Sequence, residues 1–296
     1  MNELIESLPA ILARARGVWS SPQVAGSGIT LLIVALVAVR ARHGPGAWRR
    51  LLRRSARTDA AYTAFYVGGF YAFLVSGPVY RFLTGLVDRH APFLRLDLLS
   101  HLPVAAQFAV ASVVMDGVLY WTHRLLHANR VLWAFHGIHH SQVELTPLAN
   151  FRFHVIDVVV RGLTQFVPGL LLGVPAYVWV PTIWIQVALD GLAHSGLSWS
   201  YGPLGAVIVS PRYHAIHHSA DPAHYKRNLG MTYSFWDRMF GTAAPGTERP
   251  LAFGAPSLGV PESFFRQIPH PFLFLAGTVG SAPGSGAAGA PRGGPS

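Results

Sequence analysis

Long, nearly uncharged runs constrain this chain more than any other feature. Residues 24–39, 60–80 and 102–121 each approach the length of about 20 residues that one helical crossing of a bilayer requires. Residues 155–193 are apolar again and are broken near the middle by Gly173-Val174-Pro175, a turn signal that makes the stretch an out-and-back hairpin. Such runs exclude a secreted or disordered chain. The composition agrees: 51% of residues are hydrophobic, only 12% are charged, and the mean hydropathy is +0.35.

The formal charge of +10 and a pI near 10.5 would suit a nucleic-acid-binding protein, but the placement of the charge argues for topology instead. Seven arginines (Arg40, Arg42, Arg49, Arg50, Arg53, Arg54, Arg57) crowd one stretch between two apolar runs, as expected of a cytoplasmic loop. No nucleic-acid partner is expected. Two spans separate that loop from the next return to the same side, so His123 is predicted to emerge inside, and the hairpin leaves His154 and His194 on one side. Residues 1–23 are expected to form a short surface helix. From residue 277 the Gly/Ala/Pro/Ser tail is expected to be disordered.

Fifteen histidines are present, and nine of them are grouped: His123 with His127, His136 with His139 and His140, the single His194, and His214 with His217 and His218. On a helix, positions i, i+3 and i+4 share a face, so each group projects its imidazoles toward one point. That layout suits a metal. Nine or ten ligands are too many for one ion, whereas two ions would have four or five nitrogens each and open positions for a small molecule such as dioxygen. Imidazole serves zinc, iron, copper and nickel alike, so ligand type does not select the metal. The chain has no cysteine, which excludes thiolate zinc sites and cysteine-held iron-sulfur clusters. A metalloprotease would need a glutamate within the helical pair of histidines, and none lies between His123 and His127. Carboxylate-bridged di-iron bundles need inward glutamates, and only Glu144 lies near the groups. His43, His90, His101, His224 and His270 stand alone and read as interfacial or core residues.

The motifs carry a resemblance. Asp116-x3-Tyr120-Trp121-x-His123-Arg124-x2-His127, His136-x2-His139-His140, Pro211-Arg212-x-His214-x2-His217-His218, Asn228-x-Gly230 and Trp236-Asp237-Arg238-x-Phe240-Gly241-Thr242 resemble the fatty acid hydroxylase and sterol desaturase superfamily over about residues 105–242. The resemblance implies an all-α integral membrane protein, with four to five transmembrane or membrane-embedded helices and a di-metal site on the cytoplasmic face. It implies two iron ions (Fe), held by His123, His127, His136, His139, His140, His194, His214, His217 and His218. It also implies an O2-dependent hydroxylation or desaturation of a lipid substrate, such as a fatty acyl chain or sterol. Two positions depart from the pattern: many relatives carry His-Pro-x-Glu where this chain has His154-Val155-Ile156-Asp157, and an aromatic residue where it has Leu229. His154 is therefore either a tenth ligand or a neighbour of a hydrogen-bonding Arg152/Asp157 pair. Asp116, seven residues before His123, and Asp190, four before His194, are candidates with Asp157 to accept the free N–H of a ligating histidine, with ion pairs to Arg124 or Arg161 as the alternative.

Three regions follow: residues 1–101 as an N-terminal membrane region, 102–245 as the catalytic region and 246–296 as a C-terminal segment. With no Gly-rich nucleotide motif and no cysteine, electrons are expected from a separate ferredoxin-like or cytochrome-like donor protein. Arg49, Arg50, Arg53, Arg54, Arg212, Lys226 and Arg227 offer it a positive face. The expected location is a bacterial inner membrane. The rival reading is a non-enzymatic metal-binding or metal-transport protein, which the missing internal repeat disfavours. A membrane hydrolase lacks a G-x-S-x-G elbow.

Overall fold

A computed structural model describes residues 21–43, 54–244 and 250–279, together with 13 and 16–18. The helices among them are α1 (Pro22–His43), α2 (Arg54–Val67), α3 (Gly77–His90), α4 (Val104–Ala128), α5 (Arg130–His140), α6 (Val155–Leu172), α7 (Ala176–Ala193), α8 (Pro211–His217), α9 (Phe235–Met239), α10 (Phe264–Gln267) and α11 (His270–Leu275). No strand occurs among the described residues; two isolated antiparallel bridges, Ile208 with Tyr233 and Ser219 with Phe253, tie loops together. The fold is all-α, as expected. Residues 13 and 16–18 are helical, within the stretch expected to form a short helix; the rest of 1–20, the arginine run over 44–53 and most of the expected disordered tail fall outside the described residues.

Helices α4, α6 and α7 are long and apolar enough to cross a membrane, and α2 with the segment 72–90 forms a pair bent by 42° that counts as a fourth span if taken as one. Adding α1, apolar over Ala25–Val34, gives the expected four to five. Sequence hydropathy predicts an unbroken span over 60–80, but the structure breaks it at Gly68-Gly69. Gly69 takes φ 84°, a conformation that costs glycine little, and one turn of π-helix follows over Ala72–Ser76 before α3. Helix α4 runs seven residues past the expected end at Trp121, because nothing from Thr122 to Ala128 interrupts it. It stops at Asn129, whose side-chain oxygen accepts from Val131 N and Leu132 N at 2.9 and 3.1 Å and so starts α5. His123 and His127 are therefore carried on the end of a membrane helix.

The hairpin of α6 and α7 turns where the sequence placed it. Gly173 caps α6 at φ 61°, and a β-carbon there would collide with Asp97. The 97–99 segment latches onto the hairpin tip through Leu98 N to Leu171 O and Leu99 N to Leu172 O, at 3.3 and 3.0 Å. Leu99, Ala111, Met115, Leu172 and Val178 form a buried cluster beside this latch, and α1 packs on α7 with Gly26 under the Trp184 ring. At the opposite end of these helices lie the histidines.

Candidate metal centre

Four elements bring the histidines together. Helix α4 supplies His123 and His127, one turn apart, and α5 supplies His136, His139 and His140. His194 is the residue that ends α7. Helix α8 supplies His214 and His217, with His218 as its cap; Pro211 at its start and the Ser210 hydroxyl, which accepts from Tyr213 N at 3.2 Å, set where it begins. The result is two groups. His123, His127, His136, His140 and His217 form one, and His139, His194, His214 and His218 the other, with potential ligand atoms inside each group within 4.8 Å of one another. His139 and His140, adjacent in sequence, fall in different groups, so α5 serves both. Among the described residues all nine grouped histidines take part.

The outer nitrogen of each ring decides what the inner one can do. His123 Nδ1 lies 2.7 Å from the Leu229 carbonyl oxygen, His217 Nδ1 2.9 Å from that of Arg227, His194 Nδ1 2.8 Å from that of Asp190, and His136 Nδ1 2.6 Å from Asp157 Oδ2. Carbonyl and carboxylate oxygens only accept, so in a neutral ring each of these Nδ1 atoms carries the proton and each Nε2 presents a bare lone pair. Burial keeps these rings neutral: it pushes the pKa of His217 down to about 3 and that of His194 to about 4, and lowers that of His136 despite the opposing pull of Asp157. His139, His140, His214 and His218 are driven well below the ordinary histidine range by burial and by neighbouring imidazoles.

Lone pairs therefore face lone pairs. His123 Nε2 and His136 Nε2 stand 3.1 Å apart with no proton to share, and the buried Nε2 of His217 and of His140 have no hydrogen-bond partner among the described residues. Such convergence is repulsive unless a cation lies at its focus. Two nitrogens bound about 2.1 Å from one ion stand about 3.0 Å apart at a right angle and about 3.4 Å at the tetrahedral angle. The five Nε2–Nε2 separations among these rings run from 3.0 to 3.3 Å. The donor set fits two metal ions.

The other expected site residues are placed differently. Asp157 does accept from His136, and its second oxygen receives Arg161 Nε at 2.6 Å. Arg152 is not its partner, because Arg152 turns to Asp59 of α2 at 2.6 Å. His154 stands outside both groups: its Nε2 donates to the Ile268 carbonyl at 3.0 Å and its Nδ1 accepts from Ile156 N at 3.1 Å, capping α6. Both nitrogens are engaged, which accounts for its staying out of the centre. Asp190 reaches His194, but through its main-chain carbonyl. Asp116 touches no histidine; its carboxylate accepts from Thr232 N, Tyr233 N and Trp236 Nε1 at 2.9, 3.2 and 3.0 Å, fixing the 232–236 segment on α4.

Residues with no recognisable ligand chemistry hold the rings in place. The Leu229 and Arg227 carbonyls that orient His123 and His217 belong to a loop clamped by Asp237, whose carboxylate receives Leu229 N and Gly230 N at 2.7 Å each and Thr242 Oγ1 at 2.6 Å. Gly230 leaves no room for a β-carbon between Tyr233 O and Asp237. Asn228 sits at φ 53°, a conformation asparagine tolerates, and its amide bridges Tyr213 O and Ala244 N. The Asn228-x-Gly230 and Asp237 motifs were visible in sequence; their work of aiming carbonyls at histidines was not.

Comparison with known proteins follows the same residues. The sequence model described as fatty acid hydroxylase matches residues 108–242. An ornithine lipid hydroxylase of Rhizobium tropici is 30% identical over 256 residues, which is 82% of this chain and 74% of that protein. An alkylglycerol monooxygenase of Danio rerio is 30% identical over 142 residues, 48% of this chain and 31% of that protein. A Delta(7)-sterol 5(6)-desaturase of Gibberella zeae is 26% identical over 136 residues, 46% of this chain and 37% of that protein. The chain thus spans about a third of the length of these last two. No solved structure matches it.

Proposed function

This chain belongs to the fatty acid hydroxylase family, and from that premise we propose that it is a membrane-bound di-iron oxygenase that hydroxylates a lipid. The observation that carries the reading is the pair of histidine groups, in which the tautomers of His123, His136, His217 and His194 turn bare Nε2 lone pairs inward. His123, His127, His136, His140 and His217 would hold one iron and His139, His194, His214 and His218 the other. Such ions, when bound, supply the binding and reduction of dioxygen and the oxidising power that a C–H bond requires. In the overall change one oxygen atom enters the C–H bond as a hydroxyl group, and the other leaves as water with two electrons and two protons. Desaturation uses the same oxidant. The Rhizobium tropici relative, which covers 82% of this chain, carries the name of a hydroxylase, which favours hydroxylation.

The chain's own residues do the positioning. Leu229 O, Arg227 O, Asp190 O and Asp157 keep four imidazoles facing inward. Residues 102–245 carry this machinery and 1–101 the N-terminal membrane helices, with Asp59 and Arg152 joining the two. Electrons come from a separate ferredoxin-like or cytochrome-like carrier, for which Arg212 on α8 and Arg227 in the loop after it offer positive charge. The decisive experiment is metal analysis of the detergent-purified protein alongside turnover with lipid, dioxygen, NAD(P)H and a carrier. Two irons per chain and carrier-dependent product are expected. One zinc per chain, or no oxygen-dependent product, would overturn the reading.

We propose that the centre lies on the cytoplasmic face of a bacterial inner membrane. The arginine run supports this, since α2 begins beside it and meets the site: Asp59 pairs with Arg152, and the adjacent Phe153 stacks on His139 at 4.2 Å. With no native cysteine, Arg57→Cys and Asp221→Cys, both exposed positions, provide clean labels. Both are expected to react with an impermeant maleimide only from the cytoplasmic side. Labelling of the two from opposite sides would break the topology.

A further inference from the structure

A cavity of about 300 Å³ opens beside the five-histidine group. His127, His140 and His217 line its inner end, and Trp133, Arg130 and Lys226 line its walls. None of the four histidines of the other group reaches it, so the cavity addresses one half of the centre only. Its charge is one-sided among the described residues: Arg130 and Lys226 line it and no described carboxylate does. Neither cation forms an ion pair among the described residues. Lys226 is close enough for its charge to act on His127.

The backbone at this wall is also unusual. Lys226 sits at φ 59°, a left-handed conformation that a lysine adopts only when its surroundings impose it. Arg227, the next residue, donates its N–H to His224 O at 3.2 Å and accepts from His217 Nδ1, so the strained turn is locked to a ring of the centre. At about 30 Å³ for a water-sized group, the cavity takes on the order of ten such groups. It has room for the polar end of a lipid and the carbons next to it, and too little for a whole lipid.

We propose that this cavity receives the anionic end of the substrate lipid, a carboxylate or phosphate, with Arg130 and Lys226 binding its charge and the adjoining carbons lying against the five-histidine group. The proposal rests on the lipid-oxygenase reading above and adds the class of lipid. A free phosphate ion would meet the same two cations, so the test must separate the two sources.

Trp133 is the reporter. The probe is 2-bromohexadecanoic acid, whose bromine lies beside the carboxylate and quenches a nearby indole. The full-length, metal-loaded protein in detergent is titrated, and a Trp133→Phe variant subtracts the other tryptophans. Quenching of the Trp133 component is expected. The methyl ester of the same acid should bind about tenfold more weakly, as should the acid to Arg130→Ala and to Lys226→Ala, while Lys226→Arg retains binding. Both side chains are exposed, so these variants leave the core intact. Inorganic phosphate at equal concentration should not displace the acid. Equal affinity for acid and ester, or unchanged binding in both alanine variants, overturns the proposal, and displacement by phosphate reassigns the cavity to a free anion. If lipid oxidation persists while the variants bind the acid as before, the cavity assignment falls alone. If the acid binds as expected and no lipid is oxidised, the assignment stands and the oxygenase reading falls.

Discussion

His217→Ala is expected to abolish the proposed lipid oxidation and to empty the five-histidine group of metal, while the protein still inserts into the membrane. The His217 ring is buried, its Nδ1 donates to Arg227 O, and its Nε2 has no protein partner. Alanine removes that donor, and no neighbouring side chain replaces it. His139→Ala does the same to the four-histidine group, where His139 Nε2 stands 3.3 Å from His194 Nε2. Insertion depends on the apolar helices α4, α6 and α7, and neither residue lies in them. Each variant should therefore accumulate normally in membranes, lose about one metal of two, and fall below the detection limit in turnover. Metal content per chain measured beside expression level checks this. A His139→Ala or His217→Ala protein with full metal and full activity sinks the ligand assignment.

Much of this centre was legible in the sequence because helical periodicity acts over one helix at a time. The four-residue spacing of His123 and His127, and the spacings within α5 and α8, announce common faces without any knowledge of the fold. Hydropathy likewise marks α4, α6 and α7. What pairs across the chain was not legible. Asp59 finds Arg152 over 93 residues, and Asp116, for which Arg124 or Arg161 was the alternative partner, finds Trp236 over 120. The carbonyls of Leu229, Arg227 and Asp190 were invisible for another reason, since every residue has a carbonyl and only the folded loop shows which ones face a histidine. His154 is the converse case, a position the motif left open between ligand and neighbour. It sits where a ligand would be expected by motif, yet the start of α6 uses its Nδ1 as a cap and Ile268, 114 residues on, takes its Nε2. The division of His139 and His140 between two groups follows from their pointing about 100° apart on α5, which the spacing implies but does not assign.

Asp157→Ala is expected to damage stability and metal binding together, and for separable reasons. Asp157 is fully buried on α6, with Oδ2 receiving His136 Nδ1 and Oδ1 receiving Arg161 Nε, each at 2.6 Å. Removing the carboxylate leaves the buried Arg161 guanidinium without its counter-charge, a loss of about 3–5 kcal/mol for a broken buried pair. It also frees the tautomer of His136, which can then place its proton on Nε2 and cease to be a donor to the five-histidine group. The damage should reach the second group as well, because the Arg161 guanidinium lies 4.9 Å over the Phe153 ring and that ring stacks on His139. Asp157→Asn keeps an acceptor oxygen for His136 and loses only the charge, so a decrease of about 10–100-fold in metal affinity or activity is expected. The double variant Asp157→Ala/Arg161→Leu separates the two effects: with no charge left unpaired, most of the thermal stability should return, while metal content stays low. Thermal unfolding in detergent and metal per chain are the two measurements. Wild-type metal content in Asp157→Ala would show that the carboxylate serves the Arg161 pair alone and leaves the orientation of His136 to the surrounding packing.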